Sequence, residues 1–152
     1  MEDNQIRERL ARLGANCVCN NLRRTARAVT NYYDGLLEPL SGLRVSQVSV
    51  LVVSYLTGPQ TIHELADMLA LDRTTLGRNL RPIAQQGLLT LTAGSDQRTR
   101  VVTLTAQGEE ILVRILPQWE QAQAHMVAEM QHEQVTAFLA QLADLAARTQ
   151  HA

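Results

Sequence analysis

Apolar side chains recur at three- and four-residue steps along the start of the chain: Ile6, Leu10, Leu13 and Cys17, then Leu22, Ala26, Val29, Tyr33 and Leu36 or Leu37. That is the period of one helix face. It predicts a long helix over the first 38 residues, stopped by Pro39 and Ser41-Gly42. Ser46 is the expected N-cap of a second helix, VSQVSVLVVSYL, ended by Gly58-Pro59. Thr61-Ile62-His63-Glu64 reads as a capping box before ELADMLAL. Asp72 then caps RTTLGRNLRPIAQQ, which Gly87 closes. Pro82 removes a hydrogen bond inside that helix, so a kink is expected there.

From Leu88 the period changes. LLTLTAG and RVVTLT are short, β-branched and alternating, and GSDQR joins them into a hairpin with a polar, basic tip. Thr105 opens another helical region with one apolar stripe: Ile111, Leu112, Ile115, Leu116, Trp119, Ala122, Met126 and Met130. The stripe breaks around Gln131-His132-Glu133, and Val135, Phe138, Leu139, Leu142, Leu145 and Ala146 mark a last helix. The order is four helices, a hairpin and two helices. The fold expected is mainly α, a winged helix-turn-helix over 44–105 flanked by long terminal helices at 1–40 and 106–152. The terminal stripes have little within so short a chain to cover them, and a subunit partner is the natural cover.

With 152 residues, 45% of them hydrophobic, the chain has the length of one domain with its own core. Aromatics make up only 3%, so that core is built from Leu, Val, Ile and Ala. The start, MEDNQIRERLARL, is charged and has no apolar run of a signal peptide, and no stretch has the length of a membrane span. A cytoplasmic protein with free thiols is expected. Net charge is −1, but it is unevenly spread. Every basic residue is an arginine. Residues 73–100 hold Arg73, Arg78, Arg81, Arg98 and Arg100 against Asp96 alone, whereas 101–152 are acidic. A basic middle segment points to an anionic partner.

ELADMLALDRTTLGRNLRPIAQQGLL has the layout of a short helix, a turn and a second helix. The second carries Thr74, Thr75, Gly77, Arg78, Asn79 and Arg81, the residue types a helix needs in a major groove. Arginine bonds guanine in bidentate fashion, asparagine does so with adenine, and threonine hydroxyls suit phosphate oxygens. Gly77 permits close approach at a cost of about 1 kcal/mol in helix propensity. Leu76, Leu80 and Ile83 are expected to face inward. Arg98 and Arg100 on the hairpin suit a narrow minor groove. Asp96 beside them is given a structural role in the wing, holding an arginine by a charge-assisted bond.

LDRTTLGRNLRPIAQQGLL, followed by Asp96 and Arg98 in the wing and by VVTLTAQG, resembles the MarR family of bacterial transcription regulators. The resemblance spans nearly the whole chain. It implies a homodimer joined by the terminal helices, with two recognition helices in successive major grooves of a pseudo-palindromic duplex. It further implies repression relieved by a small organic effector or by thiol oxidation. By the same analogy the effector pocket lies near Tyr32, Tyr33, Leu37 and Leu43.

CVCNNLRRTARAVTNYY holds both cysteines of the chain, Cys17 and Cys19. On an intact helix they point about 200° apart, too far for a disulfide or a shared metal ion. Each thiol stands alone. In the hydroperoxide-sensing members of the family, the reactive cysteine falls on Cys19 and a thiolate-bonding tyrosine on Tyr33. The chain departs from them at a second tyrosine, where it reads Leu43-Arg44-Val45-Ser46-Gln47. Arg23, Arg24 or Arg44 could lower a thiol pKa instead. The alternatives are two buried packing residues, or soft-metal binding by thiolates of two subunits. His63, His125, His132 and His151 lack metal-ligand spacing, and no cofactor is expected. A peroxidase-like enzyme would need a base beside Cys19. A winged helix used only for protein contacts would not need arginines at both helix and wing.

Overall fold

The computed structural model describes residues 2–94, 96 and 99–149. The elements among them are α1 (Glu2–Asn16), α2 (Val18–Ser41), α3 (Val45–Thr57), β1 (Gln60–Thr61), α4 (Ile62–Met68), α5 (Arg73–Gln85), β2 (Leu89–Ala93), β3 (Arg100–Leu104), α6 (Ala106–Met126) and α7 (His132–Thr149). The sheet is antiparallel in the order β1-β3-β2.

The long first helix expected from periodicity is two helices. It breaks at Cys17, whose backbone is extended at φ −69°, ψ 113°. No proline lies at the break; Gly14, a weak helix former, sits in the last turn of α1. Side-chain amides bridge the joint: Asn21 donates to the Ala15 carbonyl, which the break frees, at 3.1 Å and to the Cys17 carbonyl, which also takes the Asn21 N–H, at 3.0 Å, while Asn16 donates to the Arg12 carbonyl. Pro39 does not stop α2 either. It sits in the last turn, and Gly42, at φ 68°, closes the helix with its N–H on the Glu38 carbonyl.

Ser46 is not the cap of α3. Arg44 occupies that position, its N–H on Gln47 Oε1, and Asp34 of α2 accepts the Val45 N–H. The capping box is present in α4, where Thr61 accepts from the Glu64 N–H and Glu64 accepts from the Thr61 N–H. Asp72 caps α5 through the Thr75 N–H, and the helix continues through Pro82 to Gln85. Thr105 caps α6, which ends at Met126 rather than carrying its stripe to Met130.

The core lies between α2, α3, α5, α6 and the sheet. Leu37, Leu43, Leu51, Leu65, Leu76, Ile83, Val102 and Ile115 are fully buried. Gly108 in the first turn of α6 is a close approach: a Cβ there would collide with the Leu88 carbonyl and the Leu104 side chain. The terminal elements keep apolar residues in the open, with Ile6, Leu10 and Leu13 on α1 and Phe138, Leu139 and Leu142 on α7 all exposed. Among the described residues, no single helix is long and apolar enough to cross a membrane.

Candidate nucleic-acid interface

The site is built on α5. Asp72 takes the Thr75 N–H at 2.9 Å and the Thr75 hydroxyl at 2.6 Å. Those bonds, the side-chain one first, hold the Asp72 carboxyl below the usual aspartate range. The Thr75 hydroxyl proton is therefore spent on the cap. Leu76, Leu80 and Ile83 seat the helix in the core as expected. Thr74, Gly77, Arg78 and Arg81 are exposed and Asn79 is half-buried. No acidic residue interrupts α5. A Cβ at Gly77 would meet open space, so packing within this chain does not demand glycine there.

Beside α5 stands the wing. Its strands pair Leu89 with Leu104, Leu91 with Val102 and Ala93 with Arg100. The turn is closed by the Gly94 N–H on the Thr99 carbonyl, and by the Thr99 N–H and hydroxyl on the Asp96 carbonyl at 2.8 and 2.7 Å. Arg100 opens β3 and is exposed. Arg98, and with it the proposed Asp96–arginine bond, lies outside the described residues. The wing is also tied to the helix-turn-helix: β1 pairs Gln60 with Val102 and Thr61 with Val101, one residue before α4 begins. A two-residue strand leaves no periodic signal in the sequence.

Two further groups adjoin the site. Arg73, the first residue of α5, places Nη2 at 3.5 Å from Nδ1 of His63 on α4. His63 also lies 3.7 Å from Asp67. Ten residues separate Arg73 from His63, and only the fold reveals their contact.

The candidate sensing residues are dispersed. Cys17 is half-buried at the joint between α1 and α2, and Cys19 is exposed in the first turn of α2. The joint removes the intact-helix premise from which a Cys17–Cys19 bond was excluded. Tyr33 is fourteen residues further along α2, about 21 Å by helical rise. Its hydroxyl donates to Gln123 Oε1 of α6 at 3.0 Å. Burial, reinforced by the Tyr32 phenol, pushes its pKa above the usual tyrosine value. Tyr32 stacks on His125, ring centroids 5.1 Å apart. Leu37 and Leu43 are closed within the core. Among the described residues, no group of three or more His, Cys, Asp or Glu side chains is placed to hold a metal ion.

The same architecture recurs in known proteins. The transcriptional regulator MosR of M. tuberculosis, solved in complex with DNA, is 36% identical. The match covers 88% of this chain and 98% of MosR, with a TM-score of 0.77. Sco3205 of Streptomyces coelicolor, a MarR family regulator also solved in complex with DNA, shares the fold at a TM-score of 0.77 and 20% identity, over 87% of this chain and 84% of its own. The uncharacterised HTH-type transcriptional regulator YwoH of Bacillus subtilis is 27% identical over 119 residues, 78% of this chain and 86% of YwoH. No family model matches the chain. The winged helix, its order of elements and the near-complete overlap with MosR together place this chain in the MarR family of transcriptional regulators.

Proposed function

We propose that the protein is a cytoplasmic, homodimeric, sequence-specific DNA-binding regulator, a repressor released by a small organic effector or by oxidation of Cys19. The observation that carries this reading is the two-sidedness of α5. One side is anchored by Leu76, Leu80 and Ile83, and the other offers Thr74, Gly77, Arg78 and Arg81 with no carboxylate among them. A helix about 10–12 Å across fits a major groove about 12 Å wide. Arg78, Arg81 and Asn79 would read base edges, while Arg98 and Arg100 of the wing would follow the minor groove and its phosphates. The DNA-bound state of MosR supports the same reading.

Residues 1–40 and 106–152 would join two copies, covering the exposed apolar residues of α1 and α7. Twofold symmetry then sets two α5 helices about one turn of duplex apart, roughly 34 Å, on a pseudo-palindrome. An organic effector would act where Tyr32, Tyr33, Leu37 and Leu43 join the terminal helices to the winged lobe. In the redox mode the Cys19 thiolate attacks the terminal oxygen of a hydroperoxide, the O–O bond breaks, Cys19 becomes a sulfenic acid, and the departing alkoxide takes a proton from water to leave as the alcohol.

The test is the affinity of the purified protein for its own upstream DNA, reduced and after mild hydroperoxide treatment, beside Cys19→Ser. Release of wild type but not of the variant assigns the trigger to Cys19. Equal binding in every state makes the cysteines packing residues and leaves an organic effector as the signal. A wild-type protein that binds no duplex overturns the reading.

A further inference from the structure

Between the first turn of α4, the start of α5 and the return strand of the wing lies a cleft of about 420 Å³, lined by Thr61, Ile62, His63, Arg73, Thr99 and Arg100. Among the described residues, no carboxylate lines it. Its two hydroxyls are already committed as donors, Thr61 to Glu64 at 2.7 Å and Thr99 to the Asp96 carbonyl at 2.7 Å. The charged donors lining it are the guanidinium groups of Arg73 and Arg100. Arg100 has no side-chain partner among the described residues, and Arg73 has only His63, at 3.5 Å. An arginine N–H can only donate, so in this contact Nδ1 of His63 is the acceptor. Asp67, 3.7 Å from the same nitrogen, and Glu64, held by Thr61, are the neighbouring acids on α4. Neither reaches Arg73 or Arg100 within ion-pair distance.

Two arginines converging on a cleft without a carboxylate form a seat for a tetrahedral anion. Arg73 is about 140° around α5 from Arg78, so it does not share that residue's path to the base edges. We propose that this cleft seats a backbone phosphate of duplex DNA between Arg73 and Arg100, with His63 as the positioning residue for Arg73. The proposal rests on the DNA-binding reading and deepens it. It adds a sequence-independent contact that couples the start of the recognition helix to the base of the wing and fixes the register of both.

Wild type, Arg73→Ala, Arg73→Lys, His63→Ala and the Arg73→Ala/His63→Ala double variant are titrated with an upstream-region duplex and an unrelated duplex across a salt series. Arg73→Ala is expected to weaken both duplexes by the same factor, roughly 3–10-fold, and to reduce the slope of log K against log salt by about one. Arg73→Lys restores the slope. His63→Ala gives part of the Arg73→Ala loss and adds nothing to it in the double variant, an outcome a merely structural histidine would not produce. All side chains changed are exposed, and unchanged melting temperatures confirm folding.

Undiminished affinity and slope in Arg73→Ala overturn the seat while the DNA-binding reading stands. Strictly additive losses overturn the role of His63. A wild type that binds neither duplex overturns both the seat and the reading. Calorimetric binding of inorganic phosphate alone, with DNA affinity unchanged in the variants, reassigns the cleft to a free anion and overturns the proposal.

Discussion

Asp34, in the body of α2, accepts the Val45 N–H at the start of α3 through its Oδ1 at 2.6 Å. One carboxylate thereby caps a helix other than its own and ties α2 to the start of α3. Asp34→Ala is expected to lower stability by about 0.5–2 kcal/mol, the usual loss when a helix cap is removed. Asp34→Asn, which can still accept, should retain most of it. Urea unfolding of both variants is the check, and equal losses would remove the cap from the account.

Ala70, in the turn between α4 and α5, has φ 51°, the left-handed region that glycine usually occupies. Holding an alanine there costs roughly 1–2 kcal/mol, while glycine would add an entropic cost of about 0.4–1 kcal/mol through the unfolded chain. The first term is larger, so Ala70→Gly should raise stability by several tenths of a kcal/mol or more. A lowered melting temperature would contradict this.

The caps of the helix-turn-helix make its stability pH-dependent. Asp72 and Glu64 both have pKa values lowered by threonine side-chain and backbone hydrogen bonds. Near and below about pH 4 the unfolded chain therefore binds more protons than the folded one. The contribution is complete above the ordinary carboxylate range and is lost as pH falls through the lowered folded values. Asp72→Asn keeps a competent cap without a titrating group. It should flatten the acid limb of a stability–pH curve while matching wild type near neutrality, and a wild-type acid limb in the variant would place the effect elsewhere.

Arg78 and Arg98 separate two kinds of DNA contact. Arg78→Ala is expected to relax sequence preference and weaken specific binding by about 1–3 kcal/mol. Arg98→Ala should weaken binding on many sequences alike. Unchanged affinity in both variants would remove the proposed docking of α5 and the wing.

What the sequence disclosed was local. The caps at Asp72 and Thr61, the closing Gly87 and the hairpin strands rest on residues within four positions of one another, and they are found where the pattern puts them. The break at Cys17 has only Gly14 near it as a local marker, and Asn21 stabilises it by reaching back over the joint. The Asp34–Val45 cap spans eleven residues and the Arg73–His63 pair ten, so neither belongs to any helical or strand period. Within the candidate site the exposed face of α5 was legible. The commitment of the Thr75 hydroxyl and the arrival of Arg73 beside the wing were not, since both depend on where other elements pack.

The joint at Cys17 leaves α1 as a separate fifteen-residue arm whose Ile6, Leu10 and Leu13 are uncovered in the single chain. A helix of that length is marginal in water by itself. Whatever covers it must also meet the entropic cost of ordering it. Subunit association would then be coupled folding, with a heat-capacity change larger than rigid docking produces and an affinity lower than the buried area suggests. Helical content in the arm would then rise with protein concentration, and the ends of this molecule would be completed by assembly and not by the chain alone.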